Sequence, residues 1–247
     1  MEASRSDNIK KAFVLKADDL SAIQKVVREF LRSNGKITFD LVCKDGMERH
    51  PDDLKSVANY DNSEKSQIVK LTVSGVSEDR VRRCTIVLSN DSFWDNIRVS
   101  ANGGEQSVST FFEGLTTTIQ NMVPWYGRFA VINFISLFFS IIGFLSIAIT
   151  ILGIGLALAN GTLQNLTKTT GNELVIVICV FGYSLLAGQA LNWVRQKLFP
   201  IAVFAIGAGL RRHEISDWWR KLIISTVLIG GVVVGGSVNF IVNMITK

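Results

Sequence analysis

The apolar positions along this chain change their period near its middle. Up to Met122 they recur in short helical or alternating patterns among charged residues, whereas from Phe129 to Ala159 no charged side chain interrupts them. In the first part, Lys11–Lys16 reads as a strand. After it, Leu20, Ile23, Val26, Val27, Phe30 and Leu31 repeat at helical spacing behind a cap at Asp18 or Asp19, and Gly35 ends the helix. KITFDLVC alternates, with Ile37, Phe39, Leu41 and Cys43 on one face and a turn at Asp45-Gly46. Pro51 opens a short helical stretch, PDDLKSVANY. Three β-rich stretches follow near Ile68–Val73, Val81–Leu88 and Trp94–Val99. Val108, Phe111 or Phe112, Leu115, Ile119 and Met122 then mark an amphipathic helix. Short turns permit hairpins, and parallel pairing needs crossover helices, so the expectation for residues 1–123 is an α+β domain with an antiparallel sheet and helices on one face.

The second part, residues 124–247, reads differently. A bilayer core about 30 Å thick takes roughly 20 apolar residues in a helix. Three runs meet that length, near 129–159, 174–194 and 222–246. They predict an all-α transmembrane bundle of about three spans, joined to the first domain by the short link Val-Pro-Trp-Tyr-Gly. The run Leu198–Leu210 covers only about 20 Å as a helix and is too short to span alone. Interfacial, re-entrant and span-extending placements are all open to it.

Charge sharpens the division. The formal net charge is +5, but residues 1–123 hold 17 Lys and Arg against 18 Asp and Glu, so the excess lies in the second part. Six of its nine basic residues, Arg195, Lys197, Arg211, Arg212, Arg220 and Lys221, fall in the segment 195–221. Positive-inside bias then predicts a cytosolic N-terminal domain in an inner membrane, with Trp125, Trp193, Trp218 and Trp219 at the cytosolic interface. MEASRSDNIKK has no secretory h-region. Cys43, Cys84 and Cys179 show no metal-type spacing and read as reduced core residues.

No catalytic motif surrounds His50 or His213, so the expectation is a protein that is not an enzyme and needs no cofactor or metal. Two Asn-x-Thr sequons stand at Asn160 and Asn165 in the predicted outer loop. Polar and small residues form stripes: Asn133, Ser136 and Ser140 on the first span, Gln189 and Asn192 on the second, Gly231, Gly235, Asn239 and Asn243 on the third. Such stripes pack helices or, around a symmetry axis, line a pore. Arg195, Lys197, Arg211 and Arg212 bracket the Leu198–Leu210 run and form either a topology signal with anionic-lipid contact or an anion-binding surface.

A charged α+β module wired through VPWYG to three predicted spans with a basic girdle resembles, in architecture, the small membrane effectors of bacterial anti-phage systems. The channel-forming effectors of the Hailong system are the nearest of these. The resemblance implies a homo-oligomer, a tetramer by that likeness, in a lipid bilayer. It also implies gating by a nucleotide or oligonucleotide made by a partner nucleotidyltransferase. The expected function is therefore a ligand-gated, membrane-permeabilising channel in abortive infection. The alternative is a membrane-anchored sensor or scaffold that binds a protein partner without forming a pore.

Overall fold

The computed structural model describes residues 2–32, 35–90, 95–144 and 171–245; within the last stretch, side chains are described for 181–227 and 229. Two compact units emerge, and they are not consecutive in the chain. One joins Met1–Trp125 to Ile201–Lys247, and the other is Tyr126–Pro200.

The first unit is an α+β fold. A six-stranded antiparallel sheet is built from β1 (Glu2–Ile9), β3 (Lys36–Cys43), β4 (Glu48–Arg49), β5 (Ile68–Val76), β6 (Arg83–Ser89) and β7 (Ile97–Gly104), in the order β1-β7-β6-β5-β3-β4. Alternation sets its inner face. Phe39, Leu41 and Cys43 of β3 are buried with Leu71 and Val73 of β5, Ile86 and Leu88 of β6, and Ile97 and Val99 of β7. The opposite face carries Thr72, Ser74, Thr85, Arg98 and Ser100, a polar side that needs no cover. Burying each Leu, Ile or Phe of such a layer contributes roughly 1.5–3 kcal/mol, which makes the alternation a strong determinant of register.

Two helices complete the core. α1 (Ala17–Leu31) buries Leu20, Ile23, Val27, Phe30 and Leu31. Its first turn is closed by Asp19, whose carboxylate accepts from the Lys16 backbone N–H at 2.9 Å. α3 (Glu105–Asn121) buries Val108, Phe111, Phe112, Leu115 and Ile119, and the Phe30 and Phe111 rings meet at 4.8 Å. Between them in sequence, the short α2 (Leu54–Ala58) starts on Asp53, whose carboxylate accepts from both the N–H and the hydroxyl of Ser56, at 2.8 and 2.7 Å. Asn102-Gly103-Gly104, a turn-like sequence, is nonetheless strand. β7 runs through it to Gly104, and α3 starts at the next residue.

The Leu198–Leu210 run supplies a strand of this unit. β8 (Ala202–Ala205) pairs in parallel with β2 (Phe13–Lys16), from Phe13↔Ala202 to Lys16↔Ala205. Both strands are nearly continuous apolar runs, as expected of a parallel pair covered on both sides. The C-terminal helix Ala208–Ile245 follows almost at once.

The second unit starts with α4 (Gly127–Val131), which stops where Ile132 takes an extended conformation, ψ 130°. Residues 134–144 are again helical. Asn133 caps that restart, its side-chain oxygen accepting from the N–H groups of Ile135 at 3.1 Å and Ser136 at 3.4 Å. The unit ends with the helix Gly171–Leu198.

These findings correct the reading of the second part of the chain. Among the described residues no helix is long and apolar enough to cross a membrane. The all-α bundle of three spans, the inner-membrane placement, and the channel architecture that needs them are therefore not carried forward. The physical reasons differ by segment. The 129–159 run is interrupted at Ile132, and residues 145–170, with both sequons, lie outside the described residues. The described part of Gly171–Leu198 mixes Gln189, Asn192, Arg195 and Lys197 into its apolar residues. The 222–246 run belongs to a helix that begins at Ala208 and carries Arg211, Arg212, His213, Glu214, Asp217, Arg220 and Lys221.

Candidate functional site

β2 ties three distant stretches of the chain together. Its Phe13 N–H donates to the Ile201 carbonyl and its Val14 N–H to the Met122 carbonyl, both at 2.9 Å. The chain leaves this unit just after Met122 and returns to it at Ile201. Consecutive amides of one buried strand thus hold the point of exit and the point of return. Phe13 reinforces the return by packing edge-on against Phe204, ring centroids 5.7 Å apart.

A buried asparagine locks the return strand. Asn62 is fully buried at a positive φ of 46°, a conformation asparagine tolerates better than most residues. Its side-chain amide donates to the carbonyls of Phe204 (2.7 Å) and Ile206 (3.2 Å), and its oxygen accepts from the Ile68 N–H at 2.8 Å. The Arg212 guanidinium donates to the Asn62 backbone carbonyl, and the Ala208 N–H to that of Asp61. Gly207 has φ +53°, and a Cβ there would lie 2.2 Å from the Tyr60 carbonyl oxygen. At Gly209 a Cβ would lie 2.3 Å from the Asn62 amide nitrogen. A second buried asparagine, Asn96, exchanges side-chain bonds with the N–H and C=O of Lys11 just ahead of β2.

Toward the ends of α1 and α3 that lie away from β2, the two helices bound a cleft of about 540 Å³. Phe30, Phe111, Val26 and Gly114 contribute its apolar lining, and Glu29, Arg32, Arg82, Gln106, Ser107, Thr110, Glu113 and Thr117 its polar one. Arg82 is held in place by a 2.9 Å bond from its guanidinium to the Phe30 carbonyl. Planar guanidinium groups with donors to spare suit carboxylate or phosphate, and the hydroxyls and amide add neutral partners. Both walls of the cleft connect to the stitch: α1 starts at the end of β2, and α3 ends beside Met122.

The anion set expected from the sequence is placed less favourably. Arg195 and Lys197 belong to the second unit. Arg195 donates to the Ala130 carbonyl, with burial lowering its pKa, and Lys197 lies 4.1 Å over the Trp193 ring. Arg211 and Arg212 belong to the first unit, Arg211 exposed and Arg212 engaged with Asn62. The stripe residues Asn133 and Asn192 do meet: the Asn192 amide donates to the Asn133 side-chain oxygen at 3.2 Å, and its own oxygen accepts from the Phe134 N–H at 3.0 Å. Ser140 donates to the Ser136 carbonyl of its own helix, and Gln189 is exposed. Gly231, Gly235, Asn239 and Asn243 lie on the C-terminal helix, beyond the described side chains.

Two titrating groups flank the return. Burial works against the Asp217 carboxylate, yet hydrogen bonds from Lys221 (2.7 Å) and the Trp125 indole (2.9 Å) hold its pKa below the ordinary value. Burial, then the nearby Arg220, lower the pKa of His213, whose buried Nδ1 has no hydrogen-bond partner among the described residues. Among those residues no cluster of His, Cys, Asp or Glu is arranged to hold a metal ion.

The sequence reading missed Asn62, Asn96, Arg82 and Gly207. None sits in a recognisable motif, and each acts on a partner distant in the chain or, for Gly207, fits against one. No protein family matches this chain. Neither does any characterised protein or solved structure.

Proposed function

We propose that this protein is a ligand-responsive binding module and not an enzyme. The α1–α3 cleft takes a ligand carrying an anionic group, of the nucleotide kind, and the inserted unit 126–200 presents a surface to a protein partner. One observation carries the reading: the two helices that wall the cleft have their other ends at the strand that holds both ends of the insertion, through Phe13 to Ile201 and Val14 to Met122. A ligand that draws α1 and α3 together or apart acts on those two contacts through the length of the helices, the lining of α1 beginning at Val26, about 14 Å along the helix from β2. A ligand can shift an equilibrium only by its differential affinity for the two arrangements, so the cleft must differ between them.

The partner surface is suggested by the insertion itself. Phe144, Tyr183 and Leu186 are 76%, 77% and 71% exposed, large side chains left to water in this unit.

Calorimetric titration of the full chain with inorganic phosphate, deoxyadenosine monophosphate and short deoxyadenylate oligomers tests the first half. Binding by at least one probe, weakened roughly tenfold by Arg82→Ala through loss of a charge-assisted contact, is expected. Hydrogen exchange then reads the second half, with altered protection at residues 122–125 and 201–205 on binding. Failure of every probe to bind, or binding that Arg82→Ala and Arg32→Ala leave unchanged, overturns the cleft as the site.

A further inference from the structure

β1 is an outer strand. It pairs with β7 in unbroken register from Glu2↔Gly104 to Ile9↔Ile97 and, among the described residues, with no strand on its other side. Proteins commonly blunt such edges with proline, bulges or very short strands. β1 has eight residues, no proline, no glycine and no register shift.

Its sequence has a further property. Ala3, Arg5, Asp7 and Ile9 face one way, toward the helix layer, and Arg5 lies 4.3 Å over the Phe112 ring. Glu2, Ser4, Ser6, Asn8 and, by continuation, Lys10 face the other way. When a second copy of β1 is set antiparallel about Ser6, Arg5 falls opposite Asp7, Ala3 opposite Ile9, Ser4 opposite Asn8 and Glu2 opposite Lys10. Each pair recurs by symmetry, so every position meets an opposite charge, an apolar residue or a neutral polar one. Moving the axis breaks this. Centred on Arg5 or on Asp7 the strand sets like charges against each other, and half-step registers leave Arg5 facing Asn8 or Ser6. The Arg5–Asp7 contact within one strand, 2.6 Å, is half exposed and leaves donors and oxygens for the neighbour.

We propose that two copies of this chain associate through β1, antiparallel about Ser6, joining their six-stranded sheets into one continuous sheet. The interface is isologous, so each copy supplies both halves of each ion pair. The helix layers of both copies then fall on the same face of the joined sheet, because residues directly opposite in an antiparallel pair share a face.

The experiment is a charge exchange read by sedimentation. Arg5→Asp sets Asp against Asp7 of the other copy twice per dimer, and Asp7→Arg sets Arg against Arg5. Each variant alone should associate roughly tenfold or more weakly than the native chain, because like charges directly opposite are unfavourable. An equimolar mixture of the two variants should recover the native association, since every pair across the mixed interface is again complementary. That recovery also shows that both variants are folded. Ser6→Cys, in a Cys179→Ser background, should form a disulfide-linked dimer on mild oxidation, whereas Ser4→Cys, off the axis, should not. A native chain that stays monomeric at high concentration, variants that associate like the native chain, or equal cross-linking at positions 4 and 6 would each overturn the proposal.

Discussion

β8 and β1 each have one ladder partner among the described residues, yet they stand at opposite ends of a scale of commitment. β8 is four residues long, apolar and buried or half-buried, with Phe204 packed on Phe13 and its carbonyl held by Asn62. β1 is twice as long, but apart from Ala3 and Ile9 its side chains are polar, all are exposed or half-exposed, and its outer backbone groups face no other strand among the described residues. The difference teaches that backbone hydrogen bonds alone do not fix a strand. Their net worth is about 1 kcal/mol each against water, so side-chain burial and locked polar partners decide whether a strand is sealed into the fold or left as a surface.

The largest break in this contrast should come at Gly207. Gly207→Ala drives a Cβ into the Tyr60 carbonyl at a φ that side chains resist, and should cost about 3 kcal/mol or more in urea unfolding. Asn62→Ala comes next. It leaves the Phe204 and Ile206 carbonyls and the Ile68 N–H without their side-chain partner, a loss of about 2–4 kcal/mol by the same measurement.

A smaller, pH-dependent effect should come from His213. Its folded pKa lies below the ordinary 6.5, so the unfolded chain binds the proton more readily. The stability this group contributes is intact above that pH and falls as acidification proceeds from 6.5 toward the lowered folded pKa. Thermal melts across pH 7.5 to 5 should show the decline, and His213→Gln should flatten it over that window. At the other end of the scale, Arg5→Ala should change monomer stability by about 1 kcal/mol or less, because the exposed Arg5–Asp7 pair is worth little and the Arg5–Phe112 contact adds only a modest amount. Amide exchange sharpens the same contrast: β8 should be protected nearly to the level of global unfolding, whereas β1 of a chain held monomeric should exchange at its outer edge in the native state.

Local pattern determined much of the first unit. The alternation in KITFDLVC and the helical spacing of Leu20 through Leu31 and of Val108 through Ile119 appear as β3, α1 and α3, because periodicity records which face meets the core. The edge complementarity of Glu2 to Lys10 is also written in the chain, although only the sheet order shows that this strand is an edge. The length of an apolar run proved a poorer guide. It says that residues avoid water, and it cannot tell a membrane from a parallel strand pair or a helix interrupted at Ile132.

Tertiary structure alone decided where the Leu198–Leu210 run lies and what Asn62, Arg82, Arg195 and Arg212 do. Phe13 and Ala202 are 189 residues apart, and no local period encodes a contact between them. The two cleft walls are brought together by a shared hydrophobic layer, with Phe30 against Phe111. A buried asparagine, or an arginine that spends its donors on a distant carbonyl, reads like any other polar residue until the backbone groups it satisfies are in place. The cost of leaving those groups bare is what makes such residues matter, and that cost exists only once the chain has folded around them.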